Sequence, residues 1–136
     1  MLNTISIVNC TLTGNTHKHK VSHIRQSTII IVVNVLFDNN SPAIFFGRSQ
    51  SFICINTTFT RNIAGKMLVI MHIYQIHKIK MFGCVLKENL AQDLAGFMIQ
   101  KGEELLIAHC VFMQEKIRKS GSGLNLIYMQ KILVIN

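Results

Sequence analysis

Apolar residues alternate with other residues in short stretches along the chain, and each stretch ends at an asparagine, a glycine or a histidine. The first of these stretches is SIVNCTLTGN, at residues 6–15. Equivalent reference positions follow at intervals of 22 to 27 residues; they are Asn9, Asn34, Asn56, Gly83, His109 and Asn136. A steady period between ~20 and ~50 residues is the signature of a repeat architecture.

Columns of like residues accompany these reference positions. Four residues earlier the column reads Ile5, Ile30, Phe52, Ile79, Leu105 and Ile132, and two residues earlier it reads Ile7, Val32, Cys54, Met81, Ile107 and Val134. Three residues later it reads Leu12, Phe37, Phe59, Leu86 and Phe112. Six residues later it reads Asn15, Asn40, Asn62, Asn89 and Glu115. The period of two predicts strands with one buried face, and it makes the third column a core column.

The reference residues themselves indicate a sharp bend between two strands. Asparagine, glycine and histidine tolerate a positive φ better than most residues do. We therefore expect Asn9, Asn34, Asn56, Gly83, His109 and Asn136 to form a stacked bend ladder. The later asparagine column is expected to open a polar loop. Third strands are predicted at 44–46, 67–71, 97–100 and 124–129, followed by turns at 47–50, 101–104 and 130–131.

Three short strands in ~25 residues cannot enclose a core alone, whereas turns stacked ~4.8 Å apart can. The sequence thus predicts an all-β, right-handed parallel β-helix of five to six coils, forming one partial domain over residues 1–136 and incomplete at both ends. A helical alternative stays open for residues 90–119, which contain good helix formers. Gly96 and Gly102 weaken that alternative.

The asparagines of the bend column resemble the asparagine ladders of pectin-lyase-like parallel β-helices; they are Asn9, Asn34, Asn56 and Asn136. The repeats also resemble the degenerate repeats of polymorphic outer membrane proteins, with the pattern F-x-x-N-x-A and a glycine-rich step. Phe59, Asn62 and Ala64 match this pattern, as do Leu86, Asn89 and Ala91. Ala95-Gly96 and Gly121-Ser122-Gly123 resemble remnants of the glycine step. The resemblance implies a solenoid fold and says little about function.

Composition and charge add few constraints. The 136 residues are 49% hydrophobic, enough for one core, and the net charge of +8 favours contact with polyanions. The basic residues are spread along the chain, so no nucleic-acid partner is predicted. The sequence contains neither a signal peptide nor a transmembrane segment. An extracellular or cell-surface location follows only if the chain is part of a longer exported protein.

Candidate chemistry on this frame is sparse. The acids are scattered, with Glu103 and Glu104 as their one local pair, and we predict no catalytic residue and no cofactor. His17, His19 and His23 have suggestive spacing, but nearby lysines and an arginine disfavour a bound cation, so no metal site is predicted.

Cysteine positions indicate burial rather than redox chemistry. Cys54, Cys84 and Cys110 occupy positions in or next to the core columns, and Cys10 is equivalent to the latter two. Cys84 and Cys110 are expected to stack at a spacing compatible with a disulfide, and a ladder of buried thiols is the preferred interpretation.

Two functional classes remain open. The favoured one is a non-catalytic structural or binding segment of a β-helical repeat protein that contacts a glycan or another protein. The alternative is a truncated remnant of a polysaccharide lyase or glycoside hydrolase. Uncapped coils expose strand edges, so self-association through the ends is a further expectation.

Overall fold

The computed structural model describes residues 3–15, 22–41, 44–64, 71–91, 97–113, 116–117 and 124–136. Every regular element within these ranges is a β-strand. The strands are β1 (Thr4–Val8), β2 (Thr11–Thr13), β3 (Ser22–Arg25), β4 (Ile29–Val33), β5 (Leu36–Asp38), β6 (Ile44–Ile55), β7 (Thr58–Thr60), β8 (Ile63–Ala64), β9 (Met71–Phe82), β10 (Val85–Lys87), β11 (Leu90–Ala91), β12 (Phe97–Ala108), β13 (Val111–Met113), β14 (Lys116–Ile117) and β15 (Leu124–Ile135).

Three parallel sheets form the sides of a solenoid. The large sheet has the strand order β1-β4-β6-β9-β12-β15, with β3 pairing to β6. The second sheet has the order β13-β10-β7-β5-β2, and the third consists of β14-β11-β8. Successive turns pair in register, so that Ile30 lies opposite Phe52 and Phe52 lies opposite Ile79.

Three corners within the described residues each have one residue with a positive φ per turn. The first corner contains Asn9, Asn34, Asn56, Gly83 and His109; the second contains Gly14, Asn39, Arg61 and Glu88; the third contains Gln26, Arg48, Gln75, Lys101 and Tyr128. The third corner interrupts the middle of the long strands of the large sheet. This left-handed conformation is unfavourable for residues other than glycine, so the stacked hydrogen bonds of neighbouring turns must hold it.

A continuous core fills the interior of the stack. Among the described side chains, five phenylalanines are fully buried: Phe37, Phe46, Phe52, Phe59 and Phe97. The rings of Phe37 and Phe59, on neighbouring turns, stack in parallel with their centroids 4.8 Å apart. This distance equals the spacing between paired strands, so like residues at one column stack directly on one another.

The predicted fold class is confirmed, with a different number of turns. The chain is an all-β parallel solenoid of about four turns, whereas five to six coils were expected. The turns at the two ends lack one or more of the three sides within the described residues, and the sequence columns do not reveal this. The helical alternative for residues 90–119 is wrong, because the described part of that segment forms β11 to β14.

The predicted third strands are confirmed as strands where the structure describes them, but they belong to the large sheet and not to a separate side; residues 67–70 lie outside the described residues. Residues 44–46 and 97–100 are the first halves of β6 and β12, which continue through the expected turns. The third sheet instead begins directly after the second asparagine, at β8 and β11, where a polar loop was expected. Where the structure describes the chain, no helix has the length and apolar character needed to cross a bilayer.

Candidate functional site

The proposed bend ladder lies at the surface of the first corner. Its members from Asn9 to His109 have φ values between 47° and 58°. The Nδ2 atom of Asn34 donates to Oδ1 of Asn9 over 3.0 Å, and both side chains are exposed. A Cβ atom on Gly83 would lie 2.6 Å from Oδ1 of Asn56, so glycine leaves room for the asparagine of the preceding turn. Asn136 is exposed after the last strand.

The proposed core column lies inside the second sheet. Phe37, Phe59 and Leu86 are buried, while Leu12 and Phe112 at the two ends of the column are half-buried. Strand pairing places the five residues in register. This column therefore contributes packing and no chemistry.

A second asparagine column forms a buried amide ladder, which we define as Asn15, Asn40, Asn62 and Asn89. The Nδ2 of each of the first three donates to Oδ1 of the next over 2.8 to 3.0 Å. The same Oδ1 atoms also accept the backbone N–H of the preceding asparagine. Because Asn40, Asn62 and Asn89 are at most 4% exposed, these bonds replace water for buried polar groups.

Three thiols meet in the core beside the first corner. The Sγ atoms of Cys54 and Cys84 lie 3.6 Å apart, and the backbone N–H of Cys84 lies 3.4 Å from Sγ of Cys110. A hydrogen bond with Cys110 lowers the pKa of Cys84, but the hydrogen bond with Cys54 and burial outweigh it and raise the pKa to about 12. The hydrogen bond to Cys84, followed by burial, raises the pKa of Cys110. All the cysteines are free thiols, and these two remain protonated at neutral pH.

The third corner creates an open groove across the outside of the large sheet, which we call the bend groove. Its volume is about 730 Å³. One wall is the positive-φ column Gln26, Arg48, Gln75, Lys101 and Tyr128, and the other is Thr28, Gln50, His77, Glu103 and Gln130. Between them, Ser27, Ser49 and Gly102 form part of the floor. Five stacked rows of residues at ~4.8 Å make the groove about 20 Å long.

The groove walls offer hydrogen bonds and one aromatic surface. Tyr128 is 76% exposed. The Nζ of Lys101 donates to the hydroxyl of Tyr74 over 3.4 Å and lies 5.5 Å from the centre of that ring. His77 Nδ1 contacts Glu103 Oε1 at 2.6 Å, with both side chains about half exposed. Four neutral glutamines complete the walls, namely Gln26, Gln50, Gln75 and Gln130.

Acidic residues do not converge in this groove. Glu103 is the only carboxylate among the described groove residues, and its neighbour Glu104 lies 4.0 Å from Lys78 on another part of the sheet. Asp38 forms a two-point ion pair with Arg61 at 2.8 and 2.5 Å, which raises the pKa of Arg61 through a hydrogen bond and charge attraction. Among the described residues, therefore, no pair of free carboxylates faces the groove across a substrate-sized gap.

The histidine segment is largely outside the described residues. His17 and His19 lie outside them, and only the backbone of His23 is described. The proposed glycine steps at 95–96 and 121–123 also lie outside them. Within the described ranges, no three histidine, cysteine, aspartate or glutamate side chains form a group suited to a metal ion.

The bend groove was not predicted from the sequence, although the sequence contains a signal for it. Each residue of its positive-φ wall lies eight positions before the next reference residue, as Gln26 does before Asn34. The residue types in this column differ so much that only the constant spacing unites them. A comparison with family models, curated proteins and solved structures finds no match for this chain.

Proposed function

We propose that this chain is a non-catalytic binding segment of a parallel β-solenoid repeat protein, and that its bend groove holds an extended glycan. The observation that carries this proposal is the two-walled groove of about 730 Å³, lined by polar side chains repeated on successive turns. A repeating ligand fits a repeating wall, because each turn can make a similar contact with each successive unit.

The chemistry of the walls favours a chain of hydroxyl groups. Glutamine amides both donate and accept hydrogen bonds, as sugar hydroxyls do. The exposed ring of Tyr128 offers an apolar surface on which a sugar ring can stack. Arg48 and Lys101 face one acid, Glu103, which is already paired with His77; a weakly acidic glycan is therefore accommodated as well.

A truncated polysaccharide lyase or glycoside hydrolase is the alternative, and the His77–Glu103 pair is the observation in its favour. Glycoside hydrolysis ordinarily needs two carboxyl groups ~5 to 10 Å apart. The described groove holds one, so we expect binding without cleavage. The resemblance to pectin-lyase-like and polymorphic outer membrane protein repeats belongs to the same proposal. The parallel solenoid supports it. A surface location within a longer exported protein belongs to the same proposal and follows from that resemblance.

The direct test is a glycan array followed by calorimetric titration of the best oligosaccharide. Gln50→Ala and Gln130→Ala remove wall amides at positions without a positive φ, and Tyr128→Asn removes the ring with a residue that tolerates its left-handed backbone. Each change should weaken binding by about tenfold, the loss expected for one or two hydrogen bonds.

Thr13→Ala, an exposed change on the second sheet, is the matched control and should bind as the parent chain does. If no oligosaccharide binds, or if the control weakens binding as much as the groove variants do, the proposal is refuted. Release of new sugar ends during incubation would instead establish the enzymatic alternative.

A further inference from the structure

The large sheet is apolar on its outer face as well as on its inner face. Between the third and first corners its residues alternate between buried and more exposed positions, so alternate side chains point outward. Strand pairing aligns two outward columns: Ser6, Ile31, Ile53, Lys80, Leu106 and Leu133; and Val8, Val33, Ile55, Phe82, Ala108 and Ile135. We call these two columns the outer face.

This composition is unusual for a sheet side in contact with water. Parallel strands that are hydrophobic on both sides are typical of sheets covered on both sides. Val8 on the first strand and Leu133 and Ile135 on the last strand are 43% to 51% exposed, and most of the apolar residues between them are half-buried. The outer face is thus a contiguous, partly exposed apolar patch, and patches of this kind often serve as interaction surfaces.

The dimensions of the outer face limit what can cover it. Six strands ~4.8 Å apart and three residues of ~3.3 Å give a patch of about 24 by 10 Å, or about 240 Å². Two copies pressed together would bury about 500 Å² in total, below the ~1,000 Å² that a specific protein interface needs. A second copy of the chain is therefore a poor partner.

Basic side chains lie within and beside this patch. Lys78 and Lys131 stand in the adjacent outward column with Glu104 between them, and Lys80 lies in the outer face itself. Lys78 and Lys131 each pair in register with Glu104, which is the only acid among these four residues. Three lysines beside one acid complement a negatively charged partner and repel another copy of this face.

We propose that the outer face is a membrane-docking surface that lies on a bilayer containing anionic lipids. Its apolar side chains enter the boundary between headgroups and acyl chains, and the three lysines contact lipid phosphate and carboxylate groups. The bend groove lies in the same long strands and stays open beside the membrane. The proposal does not depend on what that groove binds.

Sedimentation with vesicles measures the affinity. The chain should bind vesicles of phosphatidylcholine and phosphatidylserine and should bind phosphatidylcholine alone much more weakly. Lys80→Gln should lower the partition coefficient by about fivefold, whereas Lys87→Gln on the second sheet should leave it unchanged. Equal effects of the two substitutions, or no binding to either vesicle, would overturn the proposal.

Fluorescence reports the position of the face, because the chain contains no tryptophan. Leu133→Trp places one fluorophore on the outer face, and Met113→Trp places one at a similarly exposed apolar position on the second sheet. Vesicles should shift the emission of the first variant to shorter wavelength, brominated lipids should quench it, and the second variant should show neither effect. Both positions are about half exposed, so both variants should fold.

Light scattering after gel filtration separates the remaining outcome. One outcome is a chain that does not bind vesicles but forms a dimer without lipid, and whose dimer is abolished by Leu133→Gln. This outcome would assign the outer face to a second copy and overturn the membrane proposal. A monomer that binds anionic vesicles and loses that binding with Leu133→Gln would support it.

Discussion

The Asn62→Ala substitution tests whether the buried amide ladder holds the turns together. The Oδ1 atom of Asn62 accepts two hydrogen bonds of 3.0 Å from Asn40, through its backbone N–H and its side chain. Its Nδ2 donates to the carbonyl of Phe37 at 2.9 Å and to Oδ1 of Asn89 at 3.0 Å. Alanine removes all four bonds without straining the backbone, because Asn62 does not have a positive φ.

The partners do not all lose their bonding. The side chain of Asn40 still donates to the carbonyl of Leu12, and Oδ1 of Asn89 still accepts the backbone N–H of residue 62. The backbone N–H of Asn40 loses this acceptor in a site that is 2% exposed. One buried orphaned donor costs ~1 to 3 kcal/mol and the remaining bonds add a smaller amount, so we expect a loss of about 3 kcal/mol.

Equilibrium unfolding in urea, followed by far-ultraviolet circular dichroism, measures this loss. Asn15→Ala is the matched control, because Asn15 is the exposed end of the same ladder and its side chain donates one bond, to Asn40. The control should cost less than about 1 kcal/mol. Equal and small losses in both variants would refute the claim that the ladder stabilises the stack.

Three further predictions concern other parts of the fold. Gly83→Ala should destabilise the chain more than Gly14→Ala does in urea unfolding; both positions have a positive φ, but only the Cβ at residue 83 would meet Asn56. Phe59→Ala should cost about 4 kcal/mol in the same assay, because its fully buried ring would leave a cavity. Because the pKa of Cys84 is raised in the folded chain, the unfolded chain loses this thiol proton at a lower pH than the folded chain does. The free energy of unfolding should therefore fall as pH rises from 9 towards 12. Cys84→Ala should reduce this fall in urea titrations across the same range.

The stacking order could be predicted from sequence because it depends on repeated spacing. Apolar residues four and two positions before each reference residue are the ones that pair in register, as Ile79 and Leu105 do. A single column is weak, but several columns with the same offsets leave little freedom for another fold. The prediction of a parallel solenoid is confirmed for this reason.

The corners and the groove could not be predicted in the same way. The segments GRSQ at 47–50 and KGEE at 101–104 contain turn-forming residues and were expected to end a strand. Arg48 and Lys101 instead interrupt their strands for one residue, and the pairing with neighbouring strands continues beyond them. The burial of Asn62 was equally hidden, because an amide is buried only when another amide lies above or below it. Both features depend on neighbours one turn away, whose side chains no local pattern specifies.

The hydrogen bonds of the amide ladder join residues 22 to 27 positions apart, and this spacing determines how the chain must assemble. A single turn has no internal partner for its amides, so two docked turns are the smallest unit in which these bonds can form. Growth then proceeds along one dimension, and each added turn closes a loop of similar length at a similar entropic cost. A chain pulled from its two ends should therefore lengthen in discrete steps of about 85 Å, one turn of ~25 residues at a time.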